Sequence, residues 1–546
     1  MRKKFREVQC LNKILTYKTE NVLNIYLSII FNALIYLAMR FLPLLSGPFL
    51  AIFLILFFDL DPQNPRVTYM AAIAIWMAVW WITQAIPLAA TSLLPIVFFP
   101  VFGIMDGKDV APLYYNYIIF LFIGGFIMAL AMERWNLHKR IAINVLLTVG
   151  SNPSSILFGF MLSTAFLSMW ISNTATTMMM IPIALAVVSK LETSFDNENL
   201  KPFITGLFLS IAYSASLGGV ATIVGTPPNL AFARIFSITF PNAPEISFAQ
   251  WMFFAFPISF VFLFVVWWVI KLFYFRNLPM SKIEPDIFKK ELKILGPRSY
   301  EETVVFVSFI TLVVLWIFRA DIIFGNFIIP GWSRPFTYSN YINDGTVAVF
   351  IALILFIWPA RNSKDKIMNW ETASRLPWNV ILLFGGGFAL AQGFKDSGLS
   401  YWVGEQLAGL EAVSPVILVM IIITMLVFLT ELTSNTGSAE IFLPILAAIA
   451  VQLKVNPLFF MIPATIACSF AFMIPVATPP NALIFGTNRI DIKDMARTGI
   501  WLNIAGIILI TLAIIFIGQF IFGIELSEFP DWAKYCLLYT SPSPRD

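Results

Sequence analysis

The sequence predicts an all-α polytopic membrane protein with about 11 transmembrane helices plus two re-entrant hairpins in an inverted repeat. Three observations support this fold class: an apolar composition, a consistent distribution of basic residues among the loops, and a duplicated set of polar motifs. Hydrophobic residues make up 59% of the 546 and charged residues only 12%. Several uncharged runs are long enough to cross a bilayer as helices.

Composition also argues against several function classes. Cys10, Cys468 and Cys536 are too widely separated to form a disulfide framework, and the single histidine, His138, has no ligand partners nearby in the sequence. A net charge of +4 could indicate nucleic-acid binding in a soluble protein, but here the basic residues collect in loops. We therefore expect no zinc, redox or nucleic-acid chemistry.

The expected elements follow in chain order. The basic segment Met1–Glu20 lacks a convincing signal-peptide cleavage site and is expected in the cytoplasm. Leu23–Met39, interrupted by Asn32, is interpreted as an amphipathic lead-in helix, with a true span as the alternative. Apolar runs then predict spans at Phe41–Phe58, Tyr69–Thr83, Pro87–Gly103, Tyr117–Met132, Phe203–Ile235, Trp251–Leu272, Thr303–Phe324, Thr346–Trp358, Val380–Gly393, Leu458–Phe485 and Trp501–Phe522.

Basic residues test this map. If the N-terminus is cytoplasmic, counting spans puts most other basic clusters on the same side, as the positive-inside rule requires. The opposite loops, such as Asp106–Asn116 and Asn326–Asp344, carry few basic residues. The clusters expected on the inside are Arg134, Lys139, Arg140, Lys282, Lys289, Lys290, Lys293, Arg361, Lys364, Lys366, Arg489, Lys493 and Arg497.

Two segments are not expected to be simple spans. The charge pattern holds only if Ser154–Val188 and Val416–Leu453 each enter and leave on one side, so we interpret both as re-entrant hairpins. Non-helical backbone at membrane depth is tolerated only where protein, water or ligand satisfies its polar groups. Each hairpin contains a Ser-Asn-Thr tripeptide near its middle, which makes the hairpin tips candidate binding positions.

An internal repeat relates the two hairpins. Ser172-Asn173-Thr174 recurs as Ser434-Asn435-Thr436, a shift of 262 residues (434 − 172 = 262), and the same shift relates Gly124-Gly125 to Gly386-Gly387. Thr-Pro-Pro-Asn begins at both Thr226 and Thr478. Each repeat has five spans and one hairpin, so the second copy starts on the opposite face. Such inverted repeats are typical of secondary transporters with central sites.

The duplicated motifs suit cations and anions together. Hydroxyl and amide oxygens accept a hard cation, whereas hydroxyl, amide and backbone N–H groups can donate to a carboxylate. Pro-Pro interrupts a helix and frees nearby carbonyls, such as those of Gly225 and Ala477. None of the four motifs contains Lys, Arg or His, so an anion would be neutralised by bound cations and half-helix N-termini.

Simpler explanations exist for each feature alone. A single Ser-Asn-Thr in a membrane helix is usually a helix-packing contact, and the glycine pairs are best explained by close helix packing. Packing gives no reason to repeat an oxygen-rich tip and a broken helix at matched positions, so the paired set favours a binding function.

The doubled Ser-Asn-Thr and Thr-Pro-Pro-Asn motifs and the span order resemble the divalent anion/sodium symporter family, which includes sodium-coupled dicarboxylate and citrate transporters. The resemblance covers the chain from about Phe41 to Phe522. It implies a homodimer in the plasma or bacterial inner membrane, with a static scaffold and a transport domain that moves like an elevator.

The resemblance also implies roles for individual residues. One sodium ion is implied at Ser168, Ser172, Asn173 and the backbone of Gly225. A second is implied at Thr430, Thr433, Asn435 and the backbone of Ala477. The substrate carboxylates are implied at Asn173, Thr174, Asn435 and Thr436, with Thr226 and Thr478 close by.

The expected domain organisation alternates between scaffold and transport segments. It comprises an N-terminus with the lead-in helix (1–40), scaffold helices (41–150), the first part of the transport domain (151–275), a cytoplasmic linker (276–300), further scaffold helices (301–400), the second part of the transport domain (401–525) and a C-terminal tail without inferred function (526–546).

Two acidic residues lie near the second tip. Glu431 agrees with the family pattern, whereas Glu440 departs from it, since the first repeat has Met178 at the matching position. A buried acid there would either take up protons and alter coupling or pair with a basic residue at the domain interface, and pairing is the preferred expectation.

We expect sodium-driven uptake of a C4-dicarboxylate such as succinate, malate or fumarate. The alternatives are a citrate or sulfate transporter, or an exchanger of the same fold. An enzyme would need catalytic groups in a cleft, but histidine is scarce and the tips lack paired acids. A channel would need a continuous polar lining, whereas polarity here is concentrated at two tips.

Overall fold

The computed structural model describes residues 41–192, 197–275, 286–324, 327–361, 365–407, 409, 412–525 and 528–538, so the expected lead-in helix Leu23–Met39 lies outside the described residues. The helices of the first half are α1 (Phe41–Phe57), α2 (Arg66–Thr83), α3 (Leu88–Thr91), α4 (Leu94–Val101), α5 (Gly107–Tyr114), α6 (Tyr117–Arg134), α7 (Leu137–Thr148), α8 (Pro153–Ser168), α9 (Asn173–Glu192), α10 (Asn197–Ala221), α11 (Pro227–Thr239), α12 (Phe248–Tyr274) and α13 (Asp286–Leu295).

The second half begins with α14 (Tyr300–Ile317), followed by a short antiparallel pair of strands, β1 (Ile322–Phe324) and β2 (Phe327–Ile329), and a 3-10 turn at Ser339–Tyr341. The remaining helices are α15 (Asp344–Ile357), α16 (Trp370–Ala373), α17 (Trp378–Ser397), α18 (Leu399–Gln406), α19 (Pro415–Thr430), α20 (Asn435–Gln452), α21 (Pro457–Ala467), α22 (Pro479–Phe485), α23 (Ile492–Phe516), α24 (Gly518–Phe522) and α25 (Asp531–Leu538).

Many of these helices are apolar enough to lie in a membrane. Among the described residues, seven helical stretches are long and apolar enough to cross a bilayer: Arg66–Thr83, Gly107–Arg134, Asn173–Glu192, Leu200–Ala221, Phe248–Tyr274, Tyr300–Ile317 and Ile492–Phe516. Shorter apolar helices, including α1, α8, α15, α19 and α21, accompany them. The prediction of a helical integral membrane protein is therefore confirmed.

Two expected spans are broken in the middle. Residues 222–226 separate α10 from α11, and residues 468–478 separate α21 from α22. Both second helices begin with the Pro-Pro pair. A first turn tolerates proline because its N–H groups need no helical partner, whereas proline farther inside would remove a helical hydrogen bond. The predicted interruption at both Thr-Pro-Pro-Asn motifs is confirmed.

The expected span Thr303–Phe324 is wrong at its C-terminal end. The helix α14 ends at Ile317, and Ile322–Phe324 forms β1. Arg319 lies between the end of α14 and the start of β1. Its guanidinium Nε lies 2.5 Å from the Asp344 carboxylate at the start of α15. The predicted span was too long because it included the apolar run after Arg319. Short runs of β-branched and aromatic residues suit strands as well as helices.

The linker 276–300 contains a helix that the apolar map omits. In α13 the buried Phe288 packs against Phe160 of α8, with ring centroids 6.3 Å apart. This helix also packs against α7. The described part of the linker is thus attached to α7 and to the first helix of the first hairpin.

The helix α10 lies at the centre of the molecule. Its residues 203–221 are all buried, and α10 packs against α8, α9, α12 and α22. Close approach depends on Gly218, where a Cβ atom would lie 2.1 Å from the Ala165 carbonyl oxygen of α8. The first hairpin is therefore packed directly on the first half of the broken helix.

The glycine pairs are packing positions, as expected. A Cβ at Gly124 would lie 2.5 Å from the backbone of Ala348 in α15, and one at Gly386 would lie 2.7 Å from the Cα of Ser92. Both distances are too short for any side chain, so the backbones can meet only at glycine. The packing interpretation is confirmed for Gly124 and Gly386.

The two hairpins have matching helical parts. α8 leads through residues 169–172 into α9, and α19 leads through residues 431–434 into α20. The first helix of each pair has 16 residues. At 1.5 Å per residue such a helix is about 24 Å long, shorter than the roughly 30 Å thickness of a bilayer core.

Candidate binding site between the two hairpin tips

A cavity of about 1030 Å³ lies between the two hairpin tips and the two helix breaks. Ser168 and Thr430, which are fully buried, stand behind the lining, each next to the asparagine of its own tip. The structure therefore brings together every site residue expected from the sequence. Those that line the cavity are Ser172, Asn173, Thr174, Gly225, Thr226, Thr433, Asn435, Thr436, Ala477 and Thr478.

The first tip gathers three oxygen atoms from different elements. The Ser168 Oγ atom lies 2.7 Å from the Asn173 Oδ1 atom and 2.7 Å from the carbonyl oxygen of Ala215 in α10. A hydroxyl has one hydrogen and can donate to only one of these two acceptors at a time. The cluster therefore contains more acceptor oxygens than protons.

The second tip repeats this arrangement with different residues. The Thr430 Oγ1 atom lies 2.8 Å from the Asn435 Oδ1 atom and 2.8 Å from the carbonyl oxygen of Cys468, at the C-terminus of α21. Serine is replaced by threonine and Ala215 by Cys468, yet the hydroxyl, amide and carbonyl groups keep the same relationship. We call these two sets of three oxygens the oxygen clusters.

The oxygen clusters suit a small hard cation. Cations of this kind prefer neutral and anionic oxygen ligands from side chains and backbone carbonyls. Each cluster combines a hydroxyl, an amide oxygen and a carbonyl, and it holds an acceptor that its own hydroxyl proton cannot serve. The residues present therefore fit sodium coordination chemically.

Both helix breaks are braced by the asparagine of their Thr-Pro-Pro-Asn motif. The Asn229 Nδ2 group donates to the carbonyls of Gly219 (3.2 Å) and Thr222 (2.8 Å). The Asn481 Nδ2 group donates to the carbonyls of Ala471 and Ile474, both at 3.1 Å. These bonds satisfy carbonyls that the interrupted helices leave without partners.

The first break contacts the first tip closely. A Cβ atom at Gly219 would lie 2.4 Å from Asn173 Oδ1, and one at Gly225 would lie 2.5 Å from the Gly219 carbonyl oxygen. Glycine at both positions therefore allows the backbone of the break to approach the amide of Asn173. This places Gly225 beside the first oxygen cluster.

The described residues that line the cavity carry no charged side chain. Four helices, α9, α11, α20 and α22, begin at this cavity. The N-terminus of a helix carries a partial positive charge that attracts anions. Because α11 and α22 begin with Pro-Pro and prolines have no N–H group, the backbone donors for an anion are those of α9 and α20. The Ser172 and Ser434 hydroxyls already accept from the N–H groups of Ala175 (3.3 Å) and Gly437 (3.4 Å), so they fix the first turns of α9 and α20.

Glu431 lies behind the second tip and holds the second break. Its carboxylate accepts from the backbone N–H groups of Phe472 (2.8 Å), Met473 (2.9 Å) and Ile474 (3.2 Å). It also accepts from the Asn503 Nδ2 group at 2.8 Å. The acid is therefore a structural acceptor for unwound backbone and does not line the cavity.

Glu440 corrects one expectation. It is fully buried, and both carboxyl oxygens lack a hydrogen-bond partner among the described residues. The preferred expectation, an ion pair with a basic residue at the domain interface, is therefore wrong for the part of the chain that the structure describes. The side chain instead lies against Gly387 of α17.

Sequence reasoning missed two carbonyls behind the cavity lining and two residues in the lining. The Ala215 and Cys468 carbonyls belong to ordinary apolar helix sequence, so no residue-type signal marks them. Gln84 and Asn379 also line the cavity, from the end of α2 and the first turn of α17. Gln84 has a φ of 51°, a left-handed conformation that is uncommon outside glycine. A polar residue just after an apolar run was the available signal.

Comparison with a family model gives a match over most of the chain. Residues 46–524 match the model described as the sodium:sulfate symporter transmembrane region. This range includes both hairpins, both broken helices and the intervening linker.

Curated relatives also match over most of the chain. A sodium-dependent dicarboxylate transporter, SdcS, of Staphylococcus saprophyticus is 43% identical over 495 residues, which cover 89% of this chain and 92% of that protein. The transporter of the same name from Staphylococcus aureus is 42% identical over 499 residues, covering 90% and 93%. Among solved structures, the YdaH transporter of Alcanivorax borkumensis superimposes with a TM-score of 0.50 at 12% identity, covering 83% of this chain and 98% of that one. That likeness concerns the fold alone.

Proposed function

The chain belongs to the sodium:sulfate symporter transmembrane family, and from this premise we propose that it is a sodium-coupled symporter of C4-dicarboxylates such as succinate, malate and fumarate. Relatives of 42–43% identity over about nine-tenths of the chain are named sodium-dependent dicarboxylate transporters. The proposal places this chain in the same activity class as those relatives.

The observation that carries the proposal is the pair of oxygen clusters at one cavity. We assign one sodium ion to Ser168, Ser172, Asn173 and Gly225, and a second to Thr430, Thr433, Asn435 and Ala477. The Ala215 and Cys468 carbonyls, each within 2.8 Å of a cluster hydroxyl, join these two sets. Two ions next to an uncharged cavity would supply the positive charge that a dicarboxylate requires.

The substrate is assigned to the space between the ions. Its carboxylates would accept from Asn173, Thr174, Asn435 and Thr436, with Thr226 and Thr478 nearby. The N-termini of α9 and α20 at the cavity support an anionic substrate. Because both asparagines serve an ion with Oδ1 and a carboxylate with Nδ2, ion binding and substrate binding are coupled through the same side chains.

We further propose the finer architecture of 11 transmembrane helices and two re-entrant hairpins in an inverted repeat. The short first helices of both hairpins and the matched oxygen clusters support it. Residues 41–150 and 301–400 would form the scaffold, and residues 151–275 and 401–525 the transport domain. The linker 276–300 and the N-terminus would then lie in the cytoplasm.

The packing of the hairpins supports an elevator movement with the site open to the cytoplasm. α20 packs against α11 and α21 of the proposed transport domain and also against α2 and α17 of the proposed scaffold, whereas α9 packs mainly against α8, α10 and α22 of the proposed transport domain. The cavity reaches Phe485, Gly486 and Ile492, beside the basic loop expected in the cytoplasm. Sliding of the transport domain would release α20 and expose the site on the other side.

The remaining proposals concern assembly and location. We propose a homodimer in the plasma or bacterial inner membrane, as the family resemblance implies. Chemical cross-linking in membranes and native mass spectrometry of the purified protein would test the dimer. A protein that remains monomeric in both experiments would contradict it.

Transport of other anions by the same site is the main alternative. Citrate, sulfate, or exchange of one dicarboxylate for another would use the same ions and helix N-termini. The lining beyond the tips differs between repeats and includes Gln84 and Asn379, so selectivity is not determined by the tripeptides alone.

Uptake of labelled succinate, citrate and sulfate into proteoliposomes tests the proposal. We expect succinate uptake that requires an inward sodium gradient and that potassium or proton gradients cannot replace. Liposomes without protein control for passive entry. Proteoliposomes without internal dicarboxylate separate symport from exchange. Succinate uptake that is indifferent to sodium would rule out the symport proposal.

A further inference from the structure

Glu440 occupies a position where a carboxyl group is unusual. It belongs to α20, five residues after Asn435, and it is completely buried. Neither carboxyl oxygen has a hydrogen-bond partner among the described residues. An ionised carboxylate in such surroundings would lose its hydration without compensation, which is strongly unfavourable. A neutral carboxylic acid avoids most of this cost.

The surroundings of Glu440 are formed by close helix contacts. A Cβ atom at Gly387 of α17 would lie 2.5 Å from the Glu440 carboxyl carbon, so the carboxyl group occupies space left by this glycine. One turn earlier on α20, Gly437 faces Trp81 of α2. Both contacts are made with the proposed scaffold, so Glu440 lies at the boundary between the two proposed domains.

No neighbouring charge in the described part of the chain compensates Glu440. Tyr114 of α5, close to the same helix contact, is within electrostatic reach, but its hydroxyl donates to the Ser92 carbonyl at 2.5 Å. Helices α2, α11, α17, α18, α19, α21 and α25 pack against α20. Among the described residues, none of their titratable or charged side chains bonds to Glu440; these are Arg66, Tyr69, Arg234, Lys395, Asp396, Tyr401, Glu405, the C-cap residue Glu431, Asp531 and Lys534.

The position that matches Glu440 in the first repeat has a different environment. Met178 matches Glu440 in the first repeat (440 − 178 = 262), and its side chain is 57% exposed whereas that of Glu440 is 0% exposed. Because inverted repeats share one fold in opposite orientations, we expect the two repeats to exchange their arrangements in the opposite-facing conformation. Glu440 would then take the exposed environment that Met178 has in this conformation.

We propose that Glu440 is a proton-binding site at the contact between α20 and α17, which holds a proton while these helices are packed and releases it to water when the opposite-facing conformation exposes the carboxyl group. The release step rests on the proposed alternating-access function, whereas proton binding in the packed conformation does not. Acidic solution would therefore favour the packed conformation, because that conformation binds one more proton.

The proton itself can be detected without transport. Infrared spectra of the purified protein at mildly alkaline pH should contain a carbonyl stretching band of a protonated carboxylic acid. We expect Glu440→Gln and Glu440→Met to remove this band and Glu405→Gln, at an exposed position of α18, to leave it. Glu440→Met copies the residue of the first repeat and serves as a second variant if one does not fold. A spectrum unchanged by both Glu440 variants would overturn the proton site.

Transport tests the coupling. We expect the rate of sodium-dependent succinate uptake by the unaltered protein to change several-fold between acidic and alkaline buffers. The two Glu440 variants should retain sodium dependence but lose most of this pH response, whereas Glu405→Gln should keep it. Variants with the pH profile of the unaltered protein would overturn the coupling. Absence of sodium-dependent uptake in every protein would contradict the proposed function, while the infrared band would still decide the proton site.

Discussion

The Thr430 hydroxyl lies 2.8 Å from the side-chain oxygen of Asn435, and the Ser168 hydroxyl lies 2.7 Å from that of Asn173. Each pair links the end of the first hairpin helix to the start of the second. The pairs differ in residue type but not in geometry. This correspondence allows one repeat to act as the control for the other in the predictions that follow.

Removal of either cluster hydroxyl should weaken sodium binding. We expect Ser168→Ala and Thr430→Val each to raise the sodium concentration for half-maximal succinate uptake by roughly tenfold, since a lost ligand of this kind costs about 1–2 kcal/mol. Thr424→Val removes a hydroxyl from the same helix as Thr430, where it bonds only to the Met420 carbonyl, and should leave the sodium dependence unchanged. Unaltered sodium dependence in both cluster variants would contradict the ion assignment.

Removal of either tip amide should abolish transport. Asn173→Ala and Asn435→Ala each delete a group assigned to both an ion and the substrate, so we expect uptake to fall to background while the protein remains folded. Asn152→Ala, at the start of α8 and without a capping bond, provides the control. Uptake and size-exclusion chromatography together distinguish lost function from misfolding. Normal uptake by both tip variants would remove the site assignment.

Glu431 should stabilise the second break. Its replacement by alanine leaves the N–H groups of Phe472 and Met473 without an acceptor, which costs about 1–3 kcal/mol for each buried group. We expect Glu431→Ala to lower the thermal unfolding midpoint and to reduce uptake. Met169→Ala, at the matching position of the first repeat, removes an apolar side chain that accepts no such bonds. If Glu431→Ala lowers the midpoint no more than Met169→Ala, the bracing role is wrong.

The ion pair between Arg319 and Asp344 should be important for folding. Both side chains are buried, their atoms lie 2.5 Å apart, and the Asp344 carboxylate also accepts from the Phe248 N–H group at 3.0 Å. Arg319→Met leaves a buried carboxylate uncompensated, which typically costs about 3–5 kcal/mol. We expect a lower unfolding midpoint and poor membrane expression. Arg334→Met, which removes an exposed cation, should change neither by much.

The sequence predicted most of the site because its key residues form a repeat. The shift of 262 residues relates Asn173 to Asn435 by sequence position alone, and the Pro-Pro pairs correctly located both helix breaks. Both the tips and the helix breaks were identified from the types of side chain in the sequence. The tips could therefore be found from polar residues in apolar runs.

Groups without residue-type signals could not be predicted in this way. The Ala215 and Cys468 carbonyls bind the cluster hydroxyls, yet any residue provides a carbonyl, so only tertiary contact identifies them. The helix α7 was also omitted, because Lys139 and Arg140 interrupt its apolar run. The surroundings of Glu440 depend on Gly387, which is 53 residues away in the sequence (440 − 387 = 53).

The absence of charged side chains from the described cavity lining has a physiological consequence. A site with fixed lysine or arginine would attract its anion even without bound sodium. Here the attraction for a dicarboxylate would disappear together with the ions. Under the proposed mechanism, a carrier that has released its sodium ions would therefore return across the membrane without a dicarboxylate, which keeps the movements of sodium and dicarboxylate coupled.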